Sequence, residues 1–219
     1  MHATSTGARH LAAEIPVGYH SLPGDLIIPD RPVGIVAFAH GSGSSRLSPR
    51  NQAVATALHE ARLATLLFDL LTETEARDRG NVFNIPLLGE RLVSAIDWLG
   101  TRPETRALPV GTFGASTGAA AALAAAALRA DSVAAVVSRG GRPDLAAPWL
   151  ADVKAPTLLI VGSLDEAVLG LNRSALARLT CPKQLALVRG ATHLFEEPGT
   201  LEEVERLARE WFVRHLAAG

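Results

Sequence analysis

Six short stretches of Val, Ile, Leu and Ala punctuate the chain, at residues 34–39, 64–68, 108–113, 133–137, 157–161 and 184–188. Each is apolar almost throughout. A strand with one face in water alternates apolar and polar positions, whereas a strand covered by helices on both faces does not. The six stretches are therefore expected to pair as a mainly parallel sheet. Between them the spacing predicts helices at residues 51–61, 89–99, 117–129, 171–179 and 201–216. In the last of these Leu201, Val204, Leu207, Ala208, Trp211, Phe212 and Leu216 fall on one face. Strand followed by helix, repeated, predicts a doubly wound α/β fold of about seven or eight strands. Ahead of it, residues 15–19 and 25–28 flank Leu22-Pro23-Gly24, whose turn chemistry predicts an antiparallel N-terminal hairpin at one sheet edge. Residues 71–86 break the pattern, being polar and charged around Glu73, Glu75, Arg77, Asp78 and Arg79. Loops beyond the carboxyl ends of such strands are where ligands bind, so this segment is expected to form a rim.

Composition narrows the class. The 219 residues, 48% hydrophobic and 20% charged, suit one domain spanning 1–219 that builds its core without disulfides or metals. No linker or repeat divides the chain, and no cap domain is expected. Lys and Arg total 21 against 22 Asp and Glu, which leaves no basic footprint for nucleic acid or an anionic membrane. The longest apolar run, residues 119–128, is Ala-rich and falls well short of the ~20 residues of a membrane span. With no signal peptide near Met1 and a single cysteine, Cys181, a cytoplasmic location is expected. Cys181 is read as a small buried hydrophobe, and Trp98 and Trp211 as helix core residues. No cofactor is expected, and no His-Glu-x-x-His spacing suggests a metal.

The chemistry concentrates at strand ends. Gly114-Ala115-Ser116-Thr117-Gly118 matches Gly-x-Ser-x-Gly and lies between a predicted strand and a predicted helix. A strand that turns at once into a helix brings backbones very close, so the flanking positions require glycine while the serine protrudes. An ordinary Gly-rich turn is the competing reading of the motif alone. Two further residues weigh against it. Asp165 follows the strand at 157–161 and His193 follows the strand at 184–188, on the side of the sheet expected for Ser116. The chain order Ser, Asp, His is the one this architecture uses for a nucleophile, an orienting carboxylate and a general base.

The remaining histidines have plainer roles. His2 and His10 fall in an N-terminal stretch expected to be mobile, His20 at the hairpin, and His59 and His215 on helices. His40 does follow a strand, and His40-Gly41-Ser42 reads as a loop whose amide enters the site. The amides of Ser42 and Thr117 would then form an oxyanion hole. Neither phosphate-loop pattern, Gly-x-x-x-x-Gly-Lys-Ser/Thr or Gly-x-Gly-x-x-Gly, is completed. Substrate contacts are sought at His40, Arg46 and Arg139, with Arg50 and Arg142 nearby. A guanidinium there either holds a carboxylate or phosphoryl group or pairs structurally with Asp69, Glu73 or Asp144.

These residues together resemble the dienelactone hydrolase branch of the α/β-hydrolase superfamily. The resemblance rests on Phe38-Ala39-His40-Gly41-Ser42-Gly43-Ser44, the elbow, Gly162-Ser163-Leu164-Asp165 and Ala191-Thr192-His193-Leu194-Phe195, and covers nearly the whole chain. It implies the hydrolase fold and its machinery. Two departures separate that machinery from the dienelactone reaction: Ser116 stands where those enzymes carry cysteine, and a Gly/Ser run replaces their acidic residue after the first parallel strand. The expected activity is cleavage of small carboxylic esters, with lactone, thioester and phosphotriester hydrolysis as relatives of the same chemistry. A non-catalytic binding or regulatory module is the alternative of another class.

Overall fold

The computed structural model describes residues 7–217. One sheet runs through it, built from β1 (Arg9–Val17), β2 (His20–Ile28), β3 (Gly34–Ala39), β4 (Leu63–Phe68), β5 (Val110–Ala115), β6 (Val133–Arg139), β7 (Thr157–Gly162) and β8 (Lys183–Val188). Their order is β1-β2-β4-β3-β5-β6-β7-β8. The pairs β1/β2 and β2/β4 are antiparallel and all others parallel. From β3 the chain moves outward to β4 and then returns to β5 on the other side of β3. That reversal opens a crevice between the carboxyl ends of β3 and β5.

The helices are α1 (Pro49–Glu60), α2 (Glu73–Ala76), α3 (Arg79–Val82), α4 (Ile85–Thr101), α5 (Thr117–Leu128), α6 (Glu166–Arg178) and α7 (Thr200–Leu216). Helices α1 and α7 cover one face of the sheet, where Phe38, Phe113, Trp211 and Phe212 pack together. Helices α4, α5 and α6 cover the other, over Ile35, Phe68, Leu92 and Leu123. Burying each such large side chain contributes about 1.5–3 kcal/mol. Residues 117–126 are buried all round the first turns of α5, which explains why that helix is alanine and not amphipathic. Helix starts follow local chemistry: the Ser48 side chain accepts from the Asn51 amide with Pro49 in the first turn, and Asn84 accepts from Leu87 with Pro86.

The interior strands β3, β4, β5 and β7 are buried at every position, whereas β1 and β2 alternate. The hairpin is covered on one face only. Its turn lies at Gly18-Tyr19, with Gly18 at φ +61°, and not at Leu22-Pro23-Gly24 as the turn chemistry suggested. Pro23 is tolerated inside β2 because pairing with β4 covers only residues 24–27, so the missing amide proton breaks no bond on that side. Gly24 is required there because a Cβ would sit 2.9 Å from the Phe68 Cβ. His10 is not in a loose arm but in β1, opposite Ile27; His2 lies outside the described residues. The irregular stretch after β4 carries the two short helices α2 and α3, the first closed by a capping box between Thr72 and Glu75. Cys181 is buried, its Sγ 3.7 Å from the Thr157 hydroxyl. No helix among the described residues is long and apolar enough to cross a membrane.

Candidate active site

Ser116 sits between the last residue of β5 and the first of α5 with φ +52° and ψ −119°, a region that non-glycine residues rarely occupy. The elbow is held by close backbone packing. A Cβ on Gly118 would lie 2.1 Å from the Ala39 carbonyl oxygen, and one on Gly114 would lie 2.4 Å from the Ala119 Cα. The strand-to-helix turn at the predicted motif therefore exists, and for the predicted reason. The Ser116 amide donates to the Arg139 carbonyl at 3.1 Å, and its carbonyl accepts from the Arg142 amide at 3.0 Å.

Asp165 and His193 come together because the β7/β8 pairing continues into their loops. The Ser163 amide donates to Val188 at 2.9 Å and the Leu164 amide to Ala191 at 3.0 Å. Gly162 permits this approach, since a Cβ there would meet the Ala191 carbonyl oxygen at 2.3 Å. Asp165 Oδ2 then lies 2.7 Å from His193 Nδ1, with 13% of the Asp165 side chain exposed against 38% for His193. Asp165 precedes α6 in the capping position but makes no side-chain cap, its carboxylate being turned to the imidazole. His193 and Ser116 share residues 139–142 as a neighbour: a Cβ on Gly140 would be 3.6 Å from His193 Cε1. No hydrogen bond joins Ser116 Oγ to His193 among the described residues. Contacts of this kind are commonly long until substrate tightens them.

Around the elbow, two polar contacts went unforeseen. The Ser42 amide donates to the Thr117 hydroxyl at 2.8 Å, so the two residues expected to share an oxyanion are bonded to each other. His40 accepts the Leu70 amide at Nε2, 3.1 Å, and its Nδ1 lies 3.0 Å from the Gly41 carbonyl. Those partners define a neutral ring protonated at Nδ1, and burial lowers its pKa, in keeping with that form. Both ring nitrogens are thus engaged with main chain, tying the loop after β3 to the loop after β4.

A cavity of about 450 Å³ opens between those loops and the α2–α3 segment. Leu70, Leu71, Ala76 and Val82 give it apolar walls, and Ser42 and Thr117 reach it from the elbow. Ser116, Asp165 and His193 do not line it, so the cavity lies on the Ser42–Thr117 side of the serine. Arg46 borders it with its charge matched: Nη1 is 2.5 Å from Asp69 Oδ2, Nε is 3.3 Å from Asp25, and its amide donates to Asp69. Arg142 is bidentate to Asp144 at 2.8 and 2.9 Å, and Arg50 pairs with Glu196 at 3.3 Å. Arg139 differs. It is only 9% exposed, its Nε and Nη1 have no hydrogen-bond partner among the described residues, and its guanidinium lies 6.0 Å from the Phe195 ring centroid. Burial, with the charge of Arg50 second, lowers its pKa to about 10, which leaves it cationic at neutral pH.

Residues 64–215, well over half of the chain, match the model of the dienelactone hydrolase family. The chain belongs to the dienelactone hydrolase family. The structure of a dienelactone hydrolase from Anabaena variabilis is 55% identical, with a TM-score of 0.93 over 95% of this chain and 99% of that one. Est1E from Butyrivibrio proteoclasticus shares the α/β-hydrolase fold at 16% identity, with a TM-score of 0.80 over 93% of this chain and 98% of its own. A Mycobacterium tuberculosis protein named "Putative phosphoribosyl transferase" is 59% identical over 206 residues, which are 94% of this chain and 45% of that protein. The chain thus spans about half the length of the curated relatives it matches. Within the dienelactone hydrolase family its elbow residue is Ser116, and family membership supports a hydrolase.

Proposed function

We propose that this chain is a serine hydrolase of small carboxylic esters, with Ser116 as nucleophile, His193 as general base and Asp165 as the group that orients the imidazole and stabilises the imidazolium it becomes. The observation that carries the reading is the 2.7 Å contact between Asp165 and His193 beside a serine held at a strained, positive φ. With Asp165 on Nδ1, the Nε2 face of His193 is left to take the Ser116 proton as the serine attacks the ester carbonyl. The Thr117 amide opens α5, where a helix leaves its N–H groups unpaired and its dipole positive, and so stabilises the oxyanion. The Ser42 amide joins it when the Thr117 hydroxyl turns aside. His193 then protonates the departing alcohol, and water activated by the same imidazole releases the acid from the acyl-enzyme. The apolar cavity on the Ser42–Thr117 side takes one arm of the ester. Lactones, thioesters and phosphotriesters would use the same parts.

The transferase name of the M. tuberculosis relatives is not carried over. It describes a protein about twice as long, and the segment matched here is that of a hydrolase family. A fluorophosphonate probe tests the proposal together with a panel of esters. Labelling at Ser116, abolished in Ser116→Ala along with about a thousandfold or more of the ester turnover, is expected. A folded protein that takes no label and turns over no ester would instead be a binding module on this fold.

A further inference from the structure

Arg139 occupies the last position of β6, at the carboxyl end of the sheet, where folds of this type bind ligands. Its own carbonyl holds the Ser116 amide, and the next residue, Gly140, packs under His193. A guanidinium taken out of water without a counter-charge is strongly destabilising. The neighbouring arginines avoid that cost: Arg46, Arg142 and Arg50 each lie against a carboxylate. Arg139 has none among the described residues, and two of its nitrogens lack any acceptor. The Phe195 ring at 6.0 Å is at the outer limit of a cation–π contact and supplies little. Arg50, paired with Glu196, offers it no counter-charge.

We infer that Arg139 is a receiving site for an oxyanion carried by the substrate, a phosphate or a carboxylate set beside the scissile ester. The inference rests on the proposed hydrolase reading for the word substrate, but the site itself does not. The planar fork of the guanidinium matches either anion with two parallel hydrogen bonds, and a buried charge makes such bonds stronger than on the surface. The molecule would then span two unlike regions. Its apolar arm lies in the cavity walled by Leu70, Leu71 and Val82, and its anionic end lies toward Arg139. An ester with both features is an apolar acyl or alkyl compound bearing a phosphorylated or carboxylated group.

Thermal unfolding tests the site without turnover. At constant ionic strength, inorganic phosphate or benzoate replacing chloride is expected to raise the Tm of the intact chain in a saturable way, and to leave Arg139→Met unmoved. In chloride alone Arg139→Met should melt at or above the parent, because an unpaired buried charge has been replaced by a side chain of similar length. If the Met variant does not fold, Arg139→Lys, which keeps the charge and loses the fork, should retain a weakened anion response. Where esters are turned over, Arg139→Met should lower kcat/KM for phosphorylated or carboxylated esters about 10–100-fold and leave neutral esters of the same acyl chain within about twofold. Response to phosphate alone assigns phosphorylated esters, and response to benzoate alone assigns carboxylated ones. The inference is overturned if neither anion moves the parent Tm more than that of the variant, or if kcat/KM falls equally for neutral and anionic esters. Anion binding with no ester turnover would keep the site and remove the hydrolase reading.

Discussion

Asp165→Asn separates catalysis from structure at one position. Asn preserves the size of the side chain, and Asn and Asp are equivalent in the capping position before a helix. Asp165 makes no side-chain cap in any case, so α6 loses nothing and the Tm should shift by no more than a degree or two. What is lost is the interaction with His193 at 2.7 Å. Two opposite charges about 4 Å apart interact by about 4 kcal/mol at an effective dielectric of 20, and the Asp165 side chain is only 13% exposed, so that setting is apt. The carboxamide also offers its NH₂ to Nδ1, which fixes the imidazole in the tautomer that cannot accept the Ser116 proton. Together these should lower kcat by about 10³–10⁴-fold, the range seen when a triad carboxylate becomes an amide, or about 4–5.5 kcal/mol at 1.36 kcal/mol per tenfold. Burst kinetics with p-nitrophenyl acetate give acylation directly. KM should change little, since no substrate contact is removed. A loss of kcat under tenfold would show that Asp165 is a loop residue beside a histidine and no part of a triad. A large loss that tracks a fall in Tm would move the effect to folding.

Two other outcomes follow from the packing and the charges. Gly118→Ala should fail to give the native fold, because its Cβ would meet main-chain oxygens at 2.1 and 2.5 Å that cannot give way, whereas Gly170→Ala, with open space at its Cβ, should match or exceed the parent Tm; equal melting of the two variants sinks the close approach at the elbow. Buried His40, with its folded pKa below the ordinary 6.5, contributes stability that is present above pH 6.5 and lost as the pH falls through the folded value, because the unfolded chain takes up the proton first. His40→Gln should therefore flatten part of the fall in Tm between about pH 6.5 and 5, although His59 and His215, also lowered, keep the rest of it; an unchanged slope would rule out His40 as a source.

The sequence carried the interior of this molecule well because burial on both faces leaves an unmistakable run of apolar residues. Strands β3 to β8 fall within two residues of their expected ends. The hairpin was harder. Pro and Gly usually punctuate, but in β2 Pro23 needs no donor toward β4 and Gly24 is there to clear Phe68. Nothing local marks that difference, which is decided by a neighbouring strand forty residues on. Asp165 and His193 could be placed at strand ends from sequence, and the structure brings them into contact. The Thr117 hydroxyl on the Ser42 amide could not be foreseen, since it depends on how two loops, from β3 and β5, meet across the crevice.

The arginines show most clearly what a one-dimensional reading lacks. Four of them cluster near strand ends, and composition alone gives each the same choice between an internal acid and a ligand. The pleat of β6 and the position of each loop make the choice. Val137 faces the α1–α7 layer, Ser138 turns to α5 beside Ala119, and Arg139 returns to the first side against Phe195. That parity directs Arg139 to a position where no carboxylate among the described residues pairs with it, and Glu196, next to Phe195, is already paired with Arg50, while Arg142, three residues later and off the strand, meets Asp144 two residues on. One signal was present in the sequence: a charged residue ending a run, Val-Ala-Ala-Val-Val-Ser-Arg, in which every other residue but Ala134 is buried. A chain that needed only structure at this point could have continued the run with an aliphatic residue. An arginine kept there, without an acid beside it, is best explained by a negative charge that arrives from outside the chain.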